Sequence, residues 1–167
     1  MTVLAACARI PGQEAPDVRT PPVVVNEMLK LGNVTHDDVV YDLGSGDGRI
    51  VIAAAKDRGA RGIGYEIDPA LVAQATERAR RLGLSDRVTF KQADLFQADL
   101  RQATVVTLYL GNDLNRRLRP KLLSELRPGS RVVSHGFDMG DWVPTQTMEV
   151  SSNQGTHTLY LWVVPAR

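Results

Sequence analysis

The sequence has few of the features that most simply indicate a compartment or a partner. It has one cysteine, Cys7, in 167 residues, which excludes an internal disulfide and argues against a zinc site built on cysteines. Its apolar runs are far shorter than the roughly 20 residues that cross a bilayer. The formal net charge is +1, so no overall electric field favours nucleic acid or an acidic membrane. We therefore expect no membrane span, no metal site and no nucleic-acid partner.

Residues 1–19 are predicted to form a flexible arm ahead of a single domain that spans residues 20–167. Within the arm, Leu4 to Cys7 is similar to a bacterial lipobox. A signal peptide also needs a basic start and an apolar stretch of about 7–15 residues, which are absent here. We therefore expect a cytoplasmic protein, and a truncated lipoprotein-type signal is the alternative.

Strand and helix signals alternate along the chain after residue 20. Thr20 is predicted to cap the first helix, with prolines in its first turn, and Asp68 to cap the third. Pro120 is predicted to divide the fourth helix into two pieces. The predicted helices cover residues 23–31, 49–58, 69–82 and 112–126, and the predicted strands cover residues 39–43, 62–67, 87–91, 104–110, 130–137, 145–150 and 156–164.

This alternation predicts an α/β fold with a doubly wound, mostly parallel, seven-stranded Rossmann-like sheet. The last two strands follow each other without a helix, so the last strand is predicted to run antiparallel. Only seven residues, 138–144, join the fifth and sixth strands, whereas a crossover needs about a dozen or more. We therefore expect no helix between those two strands.

A glycine-rich loop, Gly44-Ser45-Gly46-Asp47-Gly48, follows the first strand and opens a helix. Ligands of doubly wound sheets bind at such loops, where glycine lets the backbone turn tightly and approach a ligand. The spacing is G-x-G-x-G rather than the dinucleotide fingerprint G-x-G-x-x-G. The loop is bordered by the carboxylates of Asp42 and Asp47, which suit the ammonium and sulfonium of S-adenosylmethionine (SAM) and would repel a pyrophosphate. The loop therefore favours SAM over a dinucleotide.

Two further acids follow the second and third strands. Glu66 lies at the end of the second strand, where an acid accepts hydrogen bonds from ribose hydroxyls, and Ile67 follows it. Because Asp68 is the better helix cap, Glu66 is expected to be free for this role. Asp94 follows the third strand and is predicted to accept from an adenine amino group, with Leu95 against the ring. Alone, Asp94 would be read as a turn residue.

Taken in order, these motifs resemble the class I SAM-dependent methyltransferases over residues 20–165. Thr20-Pro21-Pro22, the sequence from Asp42 to Val51 and the short ending from Ser134 to Pro144 are similar to one branch. This branch contains the lysine methyltransferases of the ATP synthase c subunit and their bacterial relatives. The resemblance implies protein-lysine N-methylation with SAM as cosubstrate and S-adenosyl-L-homocysteine as product, and it implies that Thr20 and Pro21 close over the methionine part of SAM. A small-molecule methyltransferase is the alternative, and a SAM-binding module without catalysis is a third possibility.

The acceptor side is predicted where the fourth strand ends. Tyr109 is the candidate catalytic residue, as a wall of the acceptor channel or a hydrogen-bonding partner of the amine, and a core tyrosine is the alternative. His135 is read as a satisfied core residue rather than a general base. Trp142 and Phe137 either line the acceptor mouth or fill the sheet edge where a helix is missing. A basic cluster on the fourth helix, Arg116 to Lys121, is read as a solvated face rather than a docking site.

Overall fold

The computed structural model describes residues 19–167, which form four α-helices and one seven-stranded sheet. The arm predicted for residues 1–19 therefore lies outside the described residues apart from Arg19, and the lipobox-like segment lies wholly outside them. The helices are α1 (Pro22–Leu31), α2 (Arg49–Arg58), α3 (Pro69–Arg81) and α4 (Asn112–Glu125). The strands are β1 (Val39–Leu43), β2 (Arg61–Glu66), β3 (Val88–Gln92), β4 (Val105–Leu108), β5 (Arg131–His135), β6 (Gln146–Ser152) and β7 (Gly155–Val163).

The strand order is β3-β2-β1-β4-β5-β7-β6. Strands β1 to β5 are parallel, and β7 lies antiparallel between β5 and β6. The predicted α/β fold, with its mostly parallel seven-stranded sheet and antiparallel last strand, is confirmed. Because the chain winds outward from β1 to β3 and then returns to β4, the switch point lies between β1 and β4. Crevices that bind ligands open there, at the carboxyl ends of the strands.

Both faces of the sheet are covered by apolar side chains. On one face, α1 and α2 pack on β1, β4 and the β5–β7 pair through residues such as Met28, Leu29 and Leu159. On the other face, α4 packs through Leu114, Leu118 and Leu122. The carboxyl edge of the sheet is therefore held between two packed layers of apolar side chains.

No helix in the described chain, residues 19–167, is long and apolar enough to cross a membrane.

Two local predictions about the helices are wrong. The residue at the N-cap of α1 is Pro21, and no side chain caps this helix; Thr20 lies one residue earlier, with its hydroxyl against His135. Helix α4 runs unbroken through Pro120. Proline removes one backbone hydrogen bond, but Leu118 and Leu122 are fully buried on either side of it and hold the helix on the sheet.

The connection from β5 to β6 contains no helix, as predicted. Side chains of the loop itself take the place of the helix. Met139 is fully buried in the core cluster beneath α4, and the Trp142 ring lies 5.9 Å from the ring of Trp162. Nε1 of Trp162 donates to the Trp142 carbonyl oxygen at 2.7 Å. Of the two readings of Trp142, the structure supports the one in which it fills the sheet edge.

Asp38 and Arg131 form a buried ion pair at the amino edge of the sheet. Asp38 is 6% exposed and accepts from Thr35 N at 2.8 Å, from the Thr104 hydroxyl at 2.8 Å and from Arg131. Burial alone would raise the pKa of Asp38, but these hydrogen bonds and the Arg131 charge together lower it below its ordinary value. The ionised carboxylate therefore stabilises the fold at neutral pH.

The variant Asp38→Asn is expected to lower the free energy of unfolding at pH 7 by about 2 kcal/mol, the scale of a lost charge-assisted hydrogen bond in a buried site. A carboxyl whose folded pKa is depressed contributes stability that is present above its unfolded pKa and lost as pH falls towards the folded pKa. The difference between variant and wild type should therefore shrink below pH 4. Urea denaturation at pH 7 and pH 3 measures this difference in the free energy of unfolding. Asp37→Asn, on an exposed neighbour, is the control; an equal loss in both variants would contradict the assignment.

Candidate functional site

The glycine-rich loop leaves β1 at the carboxyl edge of the sheet and enters α2. Gly44, Gly46 and Gly48 have φ angles of 81°, 55° and 81°, a region that glycine adopts without strain. A Cβ on Gly48 would lie 2.6 Å from the Phe90 ring and 2.9 Å from Ala75, so this glycine lets β3 and α3 approach the loop. A Cβ on Gly46 would have no heavy atom within 4 Å. The backbone at Gly46 therefore borders open space.

Ser45, also predicted to bind the cofactor, is held in place by hydrogen bonds from the loop backbone to β2. The backbone N–H groups of Gly44 and Ser45 both donate to the Tyr65 carbonyl oxygen, at 2.8 and 2.9 Å. The Ser45 hydroxyl is buried and has no hydrogen-bond partner among the described residues. These bonds fix the loop to the end of β2, which carries Glu66.

Asp42 lies beneath the loop, in β1, and is 3% exposed. Its Oδ1 accepts a hydrogen bond from the Thr107 hydroxyl on β4 at 2.8 Å. Burial raises the pKa of Asp42 to about 7; the Thr107 hydrogen bond lowers it, and the charges of Glu66 and Asp47 raise it further. A buried carboxyl with a strongly perturbed pKa at the mouth of a crevice is typical of a functional site. Because a neighbouring cation would favour its charged form, Asp42 is suited to binding an ammonium group.

Glu66 closes the other side of the loop. Its Oε1 accepts from Gly46 N at 3.0 Å, and its Oε2 accepts from Asp68 N at 2.9 Å. Asp68 caps α3 through Ala70 N at 2.8 Å, as predicted. The expectation that this cap leaves Glu66 free is wrong, because both oxygens accept backbone hydrogen bonds. Each carboxylate oxygen retains a second lone pair, so Glu66 can still accept from a diol. Ile67, which follows it, is half-buried.

Asp94 caps a short 3₁₀ turn after β3 that begins at Leu95. Asp94 is exposed, and its Oδ1 accepts from Phe96 N at 2.9 Å, so it does act as a turn residue. The N–H of Ala93 donates to the Glu66 carbonyl oxygen at 3.0 Å, which places this turn directly beside Glu66. Leu95 is half-buried. The turn therefore sets an exposed carboxylate and an apolar side chain side by side next to the glycine loop.

Asp47 is surrounded by guanidinium groups. Its two oxygens accept from Nε and Nη2 of Arg49 at 3.0 and 2.8 Å, and Arg19 and Arg78 lie 3.8 Å away. Burial alone would raise the pKa of Asp47, but the hydrogen bonds and charge of Arg49 lower it. Arg49 also donates to the Thr20 carbonyl oxygen at 2.9 Å. Asp47 thus orients an arginine that fastens the segment before α1 to the loop, rather than offering an unpaired charge.

Thr20 and Pro21 are buried beside the loop. The Thr20 hydroxyl lies 3.1 Å from Nδ1 of His135, while its carbonyl oxygen is held by Arg49. These contacts bring residues that are distant in the sequence to the carboxyl ends of β1 and β5. The structure therefore places the segment before α1 at the same edge as the glycine loop.

Aromatic side chains form a stack where β4 and β5 end. The Tyr109 ring lies 4.0 Å from the His135 ring at an interplanar angle of 26°, and 5.9 Å from the Phe137 ring at 25°. Burial raises the pKa of Tyr109, so its phenol stays protonated. Tyr109 and Phe137 are half-buried, so each ring presents an edge outside the core. Tyr109, His135 and Phe137 thus form a wall beside the loop, the aromatic wall. Trp142 is not part of this wall.

The basic cluster on α4 is used largely within the molecule. Arg119 donates to the Met139 carbonyl oxygen at 2.9 Å, and Arg116 lies 3.9 Å from Asp138. The Arg117 guanidinium lies 4.6 Å from the centre of the Phe96 ring, and Lys121 pairs with Glu125 at 2.6 Å. Several of these contacts hold the β5–β6 loop that carries Phe137, so the cluster is more than a solvated face.

Asn115, on α4, is a site residue that the sequence did not indicate. It is fully buried, and its Nδ2 lies 3.1 Å from the Ser134 hydroxyl and from the carbonyl oxygens of Phe137 and Asp138. Asn115 therefore fixes the turn that carries the aromatic wall. Its role depends on partners 19 to 23 residues away, which no local pattern reveals.

Comparisons with known proteins agree with this geometry. Residues 42–146 match the family described as the ANTKMT methyltransferase domain. The chain is 42% identical over 150 residues, 89% of this chain and 93% of the other, to a protein-lysine N-methyltransferase of Saccharolobus islandicus (strain REY15A). It is 37% identical over 125 residues to the mouse adenine nucleotide translocase lysine N-methyltransferase; this match covers 75% of the chain but only 53% of the mouse protein.

A solved structure is also very similar. The crystal structure of an RNA methyltransferase from Salinibacter ruber, in complex with S-adenosyl-L-homocysteine, has a TM-score of 0.86 and 53% sequence identity. The match covers 90% of this chain and 95% of that chain. The relatives thus share methyl transfer, while their names differ in the acceptor.

Proposed function

The chain belongs to the ANTKMT methyltransferase domain family and is a SAM-dependent methyltransferase; from this premise we propose that it methylates the ε-amino group of a lysine in a protein. The observation that carries the proposal is the aromatic wall of Tyr109, His135 and Phe137 beside the glycine loop. An apolar wall suits an alkyl amine, which must lose its charge before it can react. The archaeal and mouse relatives, both named for lysine methylation, support the same acceptor.

The residues at the carboxyl edge fit SAM. Open space borders Gly46, and the buried carboxyl of Asp42 is suited to the ammonium of the methionine part. Glu66 retains lone pairs for the ribose hydroxyls. Asp94 and Leu95 lie beside Glu66 for the adenine. We propose that Asp42, Gly44, Ser45, Gly46, Asp47, Gly48, Glu66, Ile67, Asp94 and Leu95 form this site, with Thr20 and Pro21 closing over it and Asp47 acting through Arg49.

When bound, SAM would supply a methyl group on a positively charged sulfur. The protein would orient the reacting groups and exclude water from them. The lysine must react as a neutral amine, because only the free lone pair attacks the methyl carbon. A desolvated environment lowers an amine pKa, and the stacked rings of Tyr109 and Phe137 provide one. Holding amine, carbon and sulfur in line supplies much of the rate advantage of such a transfer. The protonated phenol of Tyr109 can donate to or orient polar groups at the wall, but it cannot take a proton.

RNA is the second candidate acceptor, because the Salinibacter ruber protein is described as an RNA methyltransferase. Two observations favour a protein over RNA here. The net charge of +1 supplies little of the electrostatic attraction on which nucleic-acid affinity depends. Arginines near the site, Arg49, Arg116 and Arg119, are engaged by Asp47, Asp138 and the β5–β6 loop. A small-molecule acceptor is the third candidate.

The test is methyl-labelled SAM with a lysate of the source cells, followed by separate protease, ribonuclease and size-fractionation treatments. The lysate is used with its membranes retained, because the cytoplasmic location expected from the sequence stays a prediction. We expect label in macromolecules that protease removes and ribonuclease does not. Label removed by ribonuclease, or found only in the low-mass fraction, would overturn the lysine proposal in favour of RNA or a small molecule. The Tyr109→Ala variant serves as the background control.

A further inference from the structure

Two histidines and two hydroxyl groups form a continuous hydrogen-bonded chain that leads away from the aromatic wall. The Thr20 hydroxyl lies 3.1 Å from Nδ1 of His135, and Nε2 of His135 lies 2.9 Å from Nδ1 of His157. Nε2 of His157 lies 2.7 Å from the Ser152 hydroxyl. His135 is 3% exposed, whereas Ser152 and His157 are half-buried at the β6–β7 hairpin. The chain thus runs from the buried wall to the surface.

The sheet register explains why the two imidazoles meet. His135 on β5 pairs with Leu159 on β7, and side chains two residues apart on a strand share a face. His157 is therefore the diagonal neighbour of His135 on the same face, within reach for long side chains. His157 in turn lies five residues from Ser152 across the hairpin. The contact depends on the antiparallel insertion of β7 beside β5.

The hydrogen bonds that link Thr20, His135, His157 and Ser152 can all point the same way when both histidines are neutral. Burial, with a smaller contribution from the nearby His157, lowers the pKa of His135 to about 4. In one arrangement Thr20 donates to His135, His135 donates to His157, and His157 donates to Ser152; in the other, every donor and acceptor is exchanged. Each neutral imidazole has one donor and one acceptor nitrogen, so both arrangements satisfy every link. Passing one proton along the chain converts the first into the second.

We propose that Thr20, His135, His157 and Ser152 relay the proton that the acceptor amine must lose, from the aromatic wall to water at the β6–β7 hairpin. This inference rests on the proposed function, because a lysine ammonium carries such a proton. The ammonium gives its proton to Thr20, Thr20 gives one to Nδ1 of His135, and Nε2 of His135 gives one to His157. His157 gives the last to Ser152 and water, and the amine keeps its lone pair. Rotation of the hydroxyls and tautomer exchange restore the first arrangement between turnovers.

The geometry favours a relay over a purely structural role. Two neighbouring imidazoles on one sheet face contribute less to packing than apolar side chains would. His135 is stacked on Tyr109 at 4.0 Å, so one end of the chain lies at the proposed acceptor wall. The other end lies at the exposed turn, where Ser152 also accepts from Gln154 N at 3.0 Å. A chain that connects an acceptor wall with solvent is suited to moving protons.

The test uses His157, because it lies outside the glycine loop and contacts the aromatic wall only through His135. His157→Asn keeps an amide that can hydrogen-bond to His135 in the place of Nδ1, but it has no group at the position of Nε2 and cannot pass a proton to Ser152. We expect single-turnover methyl transfer to the acceptor labelled by the wild type to slow by about 100-fold, the scale of a lost general acid–base step. Binding of S-adenosyl-L-homocysteine, KM for the acceptor and the melting temperature should stay unchanged. His36→Asn, on an exposed histidine, is the matched control.

Chemical rescue distinguishes a relay from packing. In His157→Ala, imidazole added to the buffer should restore the rate by about tenfold, and substituted imidazoles should rescue according to their pKa. A normal rate in His157→Asn, or a slow rate that no imidazole rescues, overturns the relay and leaves the proposed function standing. Wild-type label that appears only in RNA or small molecules overturns the lysine acceptor and the relay together. Wild-type transfer to lysine with a slow, rescued variant supports both.

Discussion

Replacing Asp42 with asparagine is expected to stabilise the protein without SAM and to weaken SAM binding in the same variant. Asn keeps an oxygen that can accept from the Thr107 hydroxyl but carries no charge. Because burial raises the pKa of Asp42 to about 7, the ionised carboxylate opposes folding. The variant removes this unfavourable charge, and with it the partner of the ammonium. Stability and binding should therefore change in opposite directions.

The stability effect has a defined pH window. A carboxyl with a raised folded pKa costs nothing below its unfolded pKa of 3.8, and its cost grows up to the folded pKa. Three pKa units correspond to about 4 kcal/mol, an upper bound that structural relaxation reduces. Asp42→Asn should therefore unfold like the wild type at pH 3 and should be more stable by about 2 kcal/mol at pH 8. Urea denaturation at both pH values measures this, with Asp37→Asn as the exposed control.

The binding effect follows from a lost charge-assisted hydrogen bond. Such a bond contributes about 1.5–3 kcal/mol, so the Kd for SAM should rise by about 10- to 150-fold. In the wild type, affinity should also increase between pH 5.5 and pH 7 as Asp42 ionises, and Asp42→Asn should lose this dependence. Calorimetric titration at several pH values measures both. Unchanged affinity at pH 7.5 would place the ammonium elsewhere.

Replacing Tyr109 with alanine is expected to reduce the rate of methyl transfer by about 100-fold while the Kd for SAM changes little. Tyr109 stacks on His135 and Phe137 at the wall and is not one of the residues that we propose to bind SAM. Its loss opens the wall to water, which leaves the amine charged and poorly oriented. The effect should therefore fall on the transfer step, and single-turnover kinetics separates that step from binding.

Tyr109→Phe divides the two roles predicted for this residue. A rate near that of the wild type would assign Tyr109 to the channel wall, and a rate near that of the alanine variant would assign it to hydrogen bonding with the amine. Tyr160→Ala is the matched control, because Tyr160 is also a half-buried aromatic residue but packs on Trp162, 5.7 Å away. If both alanine variants lose activity and stability in parallel, Tyr109 is a core residue.

The parts of the fold that depend on local signals could be predicted from the sequence. The glycine spacing, Asp68-Pro69 before α3 and the short link after β5 each depend on a few neighbouring residues. The N-cap of α1 and the course of α4 could not be predicted in the same way. Thr20 bonds to His135, 115 residues away, rather than capping its own helix, and Pro120 is held in the helix by tertiary packing.

The site shows the same division. The sequence indicated which acids lie at the carboxyl ends of the strands, because parallel strands end at one edge. It did not indicate what each carboxylate bonds to. Glu66 accepts two backbone hydrogen bonds, and Asp47 is paired with Arg49. The link between His135 and His157 depends on the register of β5 and β7, which no sequence pattern reveals.

If the site transfers a methyl group from SAM to a lysine side chain, the product carries that group on lysine Nε. The most direct measurement is mass spectrometry of peptides from a lysate incubated with the enzyme and trideuteromethyl SAM. We predict that deuterated methyl groups are found on lysine Nε in at least one protein, and that Asp42→Asn and Tyr109→Ala greatly reduce them. Deuterated methyl groups found only on nucleosides or small metabolites, in amounts that depend on the same two residues, would contradict transfer to lysine.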